Sequence, residues 1–196
     1  MVQHMNLLAR CFAAALALML TLPWSPAGRA APPKAEAKSA AKPVQQKEGV
    51  VRLGGAQGWE AYSDTEKGHK ICYLVGEPSK SEPAGAKRSK VSVSITHRPA
   101  EKISNEVSFN AGYLFKEGSD AELMVDNRKF SLFTNKDAAW ARDPATDKAV
   151  VEALAKGKQA VFKGTSARGT ETTDTYSLAG LGQALGQIDK TCGVKR

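Results

Sequence analysis

The stretch VSVSITH, Val91–His97, places Val91, Val93 and Ile95 on one face of an extended chain and Ser92, Ser94 and Thr96 on the other. That period of two belongs to a strand with one face on a core and the other toward water, and it demands an apolar layer to cover the valine face. Further short runs rich in Val, Ile, Tyr and Phe read as strands at Trp59–Ser63, Lys70–Val75, Glu106–Asn110, Ala121–Val125, Lys129–Thr134, Ala139–Arg142 and Gln159–Gly164. Asp126-Asn127 joins two of them as a hairpin. Two segments change the period. Asp143 can cap a helix that opens on Pro144, gathers Val150, Ala153 and Leu154 on one face, and stops at Gly157. A second helix is expected from about Leu178 to Lys190, with Leu178, Leu181, Leu185 and Ile188 at helical spacing behind Ser177 as its cap. The sum is a mainly β domain of about eight short strands, a sandwich or barrel, with two short helices as connection and lid, the second at the C-terminus.

The N-terminal residues belong to a different regime. Arg10 with no acid precedes CFAAALALMLTL, Cys11 to Leu22, and Pro23 and Pro26 end the apolar run. About twelve residues are too few to cross a bilayer and match a secretory apolar core. Gly28-Arg29-Ala30 supplies the small side chains that signal peptidase requires, so residues 1–30 read as a signal peptide and the mature chain starts at Ala31 with no transmembrane segment. Cys11 stands at the start of the apolar run rather than after it, which is the wrong side for lipid anchoring. Residues 31–49 are made of Ala, Lys, Pro, Gln and Glu with little that could be buried, and read as a disordered tether ahead of one domain over 50–196.

Export leaves two cysteines, Cys72 and Cys192, in a compartment where thiols oxidise. A disulfide is the expectation, with two buried free thiols as the alternative. Such a bridge would close a loop of over 100 residues and contribute roughly 4–5 kcal/mol in the chain-entropy treatment. No Cys-x-x-Cys spacing points to redox chemistry.

The chain carries a net charge of +8. Removing Arg10 and Arg29 with the signal leaves about +6, a balance that suits contact with an anionic envelope component or a host surface. Nucleic acid is a poor partner for an exported protein.

The segment KGTSARGTETTDTYSLAG, Lys163–Gly180, invites a catalytic reading. Its Gly164-Thr165-Ser166-Ala167-Arg168-Gly169 places the second glycine one residue late for a nucleophile elbow, and the parallel α/β setting is missing. It also lacks the Gly-Lys-Ser/Thr ending of a phosphate loop. His69 and His97 remain after export, without a spacing that holds a metal, and neither a metal nor another cofactor is expected. Glu101 and Glu106 could in principle share acid and base work, but acids in a charged loop are usually solvated. Arg98, Glu101, Lys102 and Glu106 gather where Pro99 ends a strand, either as a recognition edge or as a salt-bridged crossover. Arg168, at the tip of a turn, keeps a claim to recognition. The aromatic residues fall mostly in strands, where large rings build the core of a small β domain.

GWEAYSD at Gly58–Asp64, KICYLVGEPSK at Lys70–Lys80, ITHRPAEKISNEVSFNAGYLFKEGS at Ile95–Ser119 and KGTSARGTETTDTYSLAG, in that order, resemble the invasion-associated locus B family. The resemblance runs from about Gly58 to Cys192. It implies an immunoglobulin-like β-sandwich exported by Gram-negative bacteria, named because pathogenic members assist entry into host red cells. It brings no catalytic residue, cofactor or defined receptor with it.

Two readings follow. In the first, the protein is a non-enzymatic domain of the periplasm or outer membrane that binds an envelope or host-surface protein, or an anionic envelope component, with Arg98 and Arg168 as candidate contacts. In the second, it is a small hydrolase or glycan-modifying enzyme using Ser166, Thr165 or the Glu101 and Glu106 pair. A cluster of acids, or a Ser, His and acid set, converging in one cleft would favour the second, and scattering of Ser166, His97 and the acids over separate surfaces would sink it. The oligomeric state is open.

Overall fold

The structure, a computed structural model, describes residues 49–196. The expected signal peptide and all but the last residue of the expected tether lie outside the described residues. The described residues form eleven strands: β1 (Val51–Ala56), β2 (Trp59–Glu66), β3 (His69–Gly76), β4 (Lys80–Glu82), β5 (Ser92–Arg98), β6 (Ile103–Asn110), β7 (Asp120–Val125), β8 (Arg128–Asn135), β9 (Ala138–Trp140), β10 (Gln159–Thr165) and β11 (Glu171–Ser177). Helix α1 (Pro144–Lys156) lies between β9 and β10, and α2 (Leu181–Cys192) follows β11. The mainly β class with two helices, the second C-terminal, is the one expected. The strands number eleven rather than about eight.

All of them join one antiparallel sheet in the order β1-β2-β3-β5-β6-β9-β8-β7-β10-β11-β4. The sheet cannot be flat. Phe109 on β6 and Phe162 on β10 stand four places apart in that order, about 19 Å in a flat sheet, yet their rings stack at 4.7 Å between centroids. Tyr176 on β11 meets Phe109 edge-on at 5.9 Å. The two halves of the sheet therefore curl to face each other, and the core lies between them.

Register explains which side chains reach that core. Trp59, Gly76, Val93 and Phe109 form one cross-strand row, and Ala61, Leu74, Ile95 and Val107 the next. Each of these residues is buried. The valine face of VSVSITH thus points inward, with Ser94 and Ser108 bonding hydroxyl to hydroxyl at 2.8 Å on the other face.

The helices complete the cover. Asp143, in extended conformation, accepts from the Thr146 backbone N–H at 2.8 Å, Pro144 occupies the first turn, and the Gly157 N–H closes the end on the Ala153 carbonyl. Helix α1 buries Val150, Val151, Ala153 and Leu154. Helix α2 lays Leu181, Ala184, Leu185 and Ile188 against β1, β2, β3 and β5. Its start differs from the expectation. Ser177 is still strand, and its carbonyl accepts from Trp59 Nε1 at 3.0 Å. The cap is Gly180, at φ 87°, where a Cβ would stand 2.3 Å from the Ala56 carbonyl oxygen. Cys192 ends α2 and is bonded to Cys72 on β3, across 120 residues of chain.

Candidate binding cleft

Three connections far apart in sequence meet at one end of the curled sheet. They are the link from β4 to β5, the link from β6 to β7, and the turn from β10 to β11. Backbone bonds lace them together: Ser89 N–H donates to the Gly112 carbonyl at 2.9 Å, Ala167 N–H to Leu114 at 2.7 Å, and Lys116 N–H to Thr165 at 2.9 Å. Phe115 is buried and bridges to Ser166, its ring edge-on to Tyr113 and Phe162. Gly164 sits directly beneath that ring, where a Cβ would be 2.5 Å from Phe115 Cε1. Loops fixed in this way hold their shape before any ligand arrives.

Between them opens a cleft of about 590 Å³, within the usual range for small-ligand sites. Pro83, Ala86, Tyr113, Leu114 and Ala167 supply its apolar surface. Leu114 is 62 % exposed, and among the described residues only it and Val51 are large apolar side chains left so open to water. The polar groups of the floor are already engaged. The Tyr113 and Thr172 hydroxyls bond to each other at 2.6 Å. Burial pushes the Tyr113 phenol up from its ordinary value, partly opposed by Thr172 and Arg88. Arg88 forms a two-pronged pair with Asp174 at 2.7 and 2.8 Å, and Ser81 donates to the same carboxylate at 2.6 Å.

The rim is different. Lys87 and Arg168 are exposed and line the cleft, and among the described residues neither forms an ion pair. No carboxylate lines the cleft among the described residues. With Arg88 neutralised by Asp174, the site presents two uncompensated cations over an apolar floor.

The other sequence-derived candidates lie elsewhere. Arg98 bonds Glu66 at 3.0 Å and stands 3.9 Å from Glu106, so its charge is compensated in the crossover. The 3-10 turn at Pro99–Glu101 leaves Glu101 exposed. Glu106 instead lines a smaller cleft of about 240 Å³ with Trp140 and Asp147. Burial, with weaker contributions from Glu106 and Asp143, pushes the Asp147 carboxyl up to about 6 despite the hydrogen bond it accepts from Val107.

Ser166 and His97 do not converge. Ser166 Oγ accepts from the Thr170 N–H at 3.1 Å and shapes the turn. His97 is fully buried near the disulfide end of β5, where its Nδ1 accepts from the Asn105 N–H at 3.0 Å. That bond places the ring proton on Nε2, which faces Asp189 Oδ1 at 2.9 Å. Burial pushes the Asp189 carboxyl up, and hydrogen bonds from His97 and Arg196 outweigh this and leave it below the ordinary value. Among the described residues no cluster of three His, Cys, Asp or Glu side chains could hold a metal.

The model of the family described as invasion associated locus B (IalB) protein matches residues 59–189. The chain belongs to the invasion associated locus B family. No curated protein and no solved structure matches it. The family match takes in every residue that lines the larger cleft, whereas Cys192 and Arg196 lie beyond its end. Sequence reasoning had only Arg168 and Ser166 of this invasion associated locus B cleft. It missed Lys87, Arg88, Tyr113 and Leu114, and Asp174, which pairs with Arg88 beneath the cleft. The basic run Lys87-Arg88-Ser89-Lys90 behind a Pro and Gly stretch was the one local signal available.

Proposed function

We propose that this family member is exported, by the expected signal peptide, to the periplasm or outer membrane and acts there as a non-catalytic binding module. The cleft is its recognition site, and its partner is an envelope or host-surface protein or an anionic envelope component. A role in host contact, as in pathogenic relatives, falls within this reading. One observation carries it: the floor of the cleft has its polar groups mutually bonded, while the uncompensated groups are the cations Lys87 and Arg168 at the rim. Such a surface attracts and orients an anionic ligand through the charge at its rim. The test is cell fractionation with crosslinking of the native protein. An N-terminus at Ala31 in the envelope fraction with one discrete adduct is expected. Retention of residues 1–30 in a cytosolic species without adducts would overturn it.

The rival reading, a glycan-modifying enzyme, has its best footing in the smaller cleft, where Asp147 at about 6 faces Glu106 beside Trp140. It requires turnover of an envelope glycan that Asp147→Asn removes.

A further inference from the structure

Strand β11 carries an unfinished edge beside the cleft. The Thr170 carbonyl accepts from the Ser166 N–H at 2.9 Å, so Thr170 and Thr172 direct their backbone groups toward β10. An odd number of residues further along, Thr175 turns its carbonyl the other way and accepts from the Ser79 N–H at 2.8 Å on the β4 side. By the alternation of a strand, Glu171 and Thr173 face that same side. Strand β4 covers β11 at Thr173, Asp174 and Thr175 and no further, since Pro83 follows Glu82 and cannot donate to a ladder. The Glu171 N–H and carbonyl are left without a strand partner on that side among the described residues.

Pro83, Thr170 and Thr172, which flank this gap, all line the cleft. An unpaired edge, an apolar hollow ending in exposed Leu114, and the cations Lys87 and Arg168 thus adjoin one another. Each asks for a different part of one ligand. The edge takes a backbone in extended form, the hollow takes an apolar side chain, and the cations take carboxylates beside it.

We propose that the cleft binds an extended acidic peptide segment, which continues the line of β4 past Pro83, pairs with Glu171, and seats an apolar side chain against Leu114 and Tyr113. This rests on the binding-module reading and narrows its partner to protein. An anionic amphiphile would satisfy the cations and the hollow but has no backbone to offer the edge.

The probes are a short capped peptide with one leucine flanked by glutamates, its counterpart with lysines in place of the glutamates, and dodecyl phosphate. Each is titrated into the mature protein, with amide chemical shifts as the readout. The glutamate peptide is expected to shift the Glu171, Leu114 and Arg168 amides, with affinity falling at least about tenfold in Lys87→Glu/Arg168→Glu and unchanged in Lys129→Glu on β8. Equal affinity of the lysine peptide overturns the proposal. So does dodecyl phosphate shifting Leu114 and Arg168 while the glutamate peptide does not, an outcome that leaves the cleft a binding site for a lipid-like anion. Silence of all probes at these amides overturns the peptide assignment, and the crosslinking above then decides the broader reading on its own.

Discussion

Arg88 and Asp174 meet as a buried, two-pronged ion pair beneath the cleft, with their side chains 7 % and 0 % exposed and N to O distances of 2.8 and 2.7 Å. The pair links the β4–β5 connection to β11, and Arg88 also reaches the Ala111 carbonyl at 3.5 Å. It therefore ties the β4–β5 connection, and through Ala111 the start of the β6–β7 link, to the sheet.

Removing one partner strands the other charge in a dry site, at a cost of about 3–5 kcal/mol. Arg88→Met is expected to lower unfolding free energy by that amount in urea titration. The double variant Arg88→Met/Asp174→Leu should recover much of the loss, because no isolated charge remains. Equal destabilisation by the single and double variants would contradict the pair's role.

The Cys72 to Cys192 bridge joins β3 to the last residue of α2. Cys72→Ala/Cys192→Ala should destabilise by about 2–5 kcal/mol, since the unfolded chain regains the freedom of a very long loop. Alkylation before and after reduction checks the bridge itself. Labelling of both cysteines without reductant would refute it.

Gly76 lies under the Trp59 indole, where a Cβ would sit 2.5 Å from Cζ3. Gly76→Ala is expected to cost about 1–3 kcal/mol by overpacking and to shift Trp59 emission, which thermal melts and fluorescence would record. The cross-strand register, Trp59 opposite Gly76, leaves the ring no second site.

Asp147 sets a pH dependence of definite sign. Its native carboxyl titrates near 6 against an ordinary 3.8, so between these values the folded chain holds a proton that the unfolded chain has lost. Stability from this residue is complete below about 4 and is lost as pH rises through 6. Asp147→Asn, which keeps an acceptor for the Val107 N–H, should raise stability by about 1 kcal/mol at pH 8, after discounting for partial exposure, and by nothing near pH 4. A uniform gain at both pH values would contradict this.

The parts of the fold that were legible in the sequence are those with a local cause. VSVSITH alternates because its valines row up with Leu74 and Val107, and Asp143-Pro144 starts α1 because a cap and a fixed φ suit the first turn. Strand β1, VRLGGA, escaped notice because two glycines interrupt its pattern, and it is held by pairing with β2. Strand β4 is three polar residues at a sheet edge, defined by β11 alone. The true start of α2 depends on the approach of Ala56 to Gly180, which no local spacing encodes. The cleft was hidden for the same reason. Lys87, Leu114 and Arg168 become neighbours only when the sheet curls and the three loops exchange backbone bonds.

The most direct test of the cleft as the recognition site uses a photocrosslinking amino acid at Leu114 in the full chain expressed in its own cells, comparing Lys87→Glu/Arg168→Glu with Ser166→Ala. The binding account predicts a discrete adduct that the charge reversals abolish and Ser166→Ala retains. An adduct indifferent to the two cations, or lost only with the Ser166 hydroxyl, would contradict it.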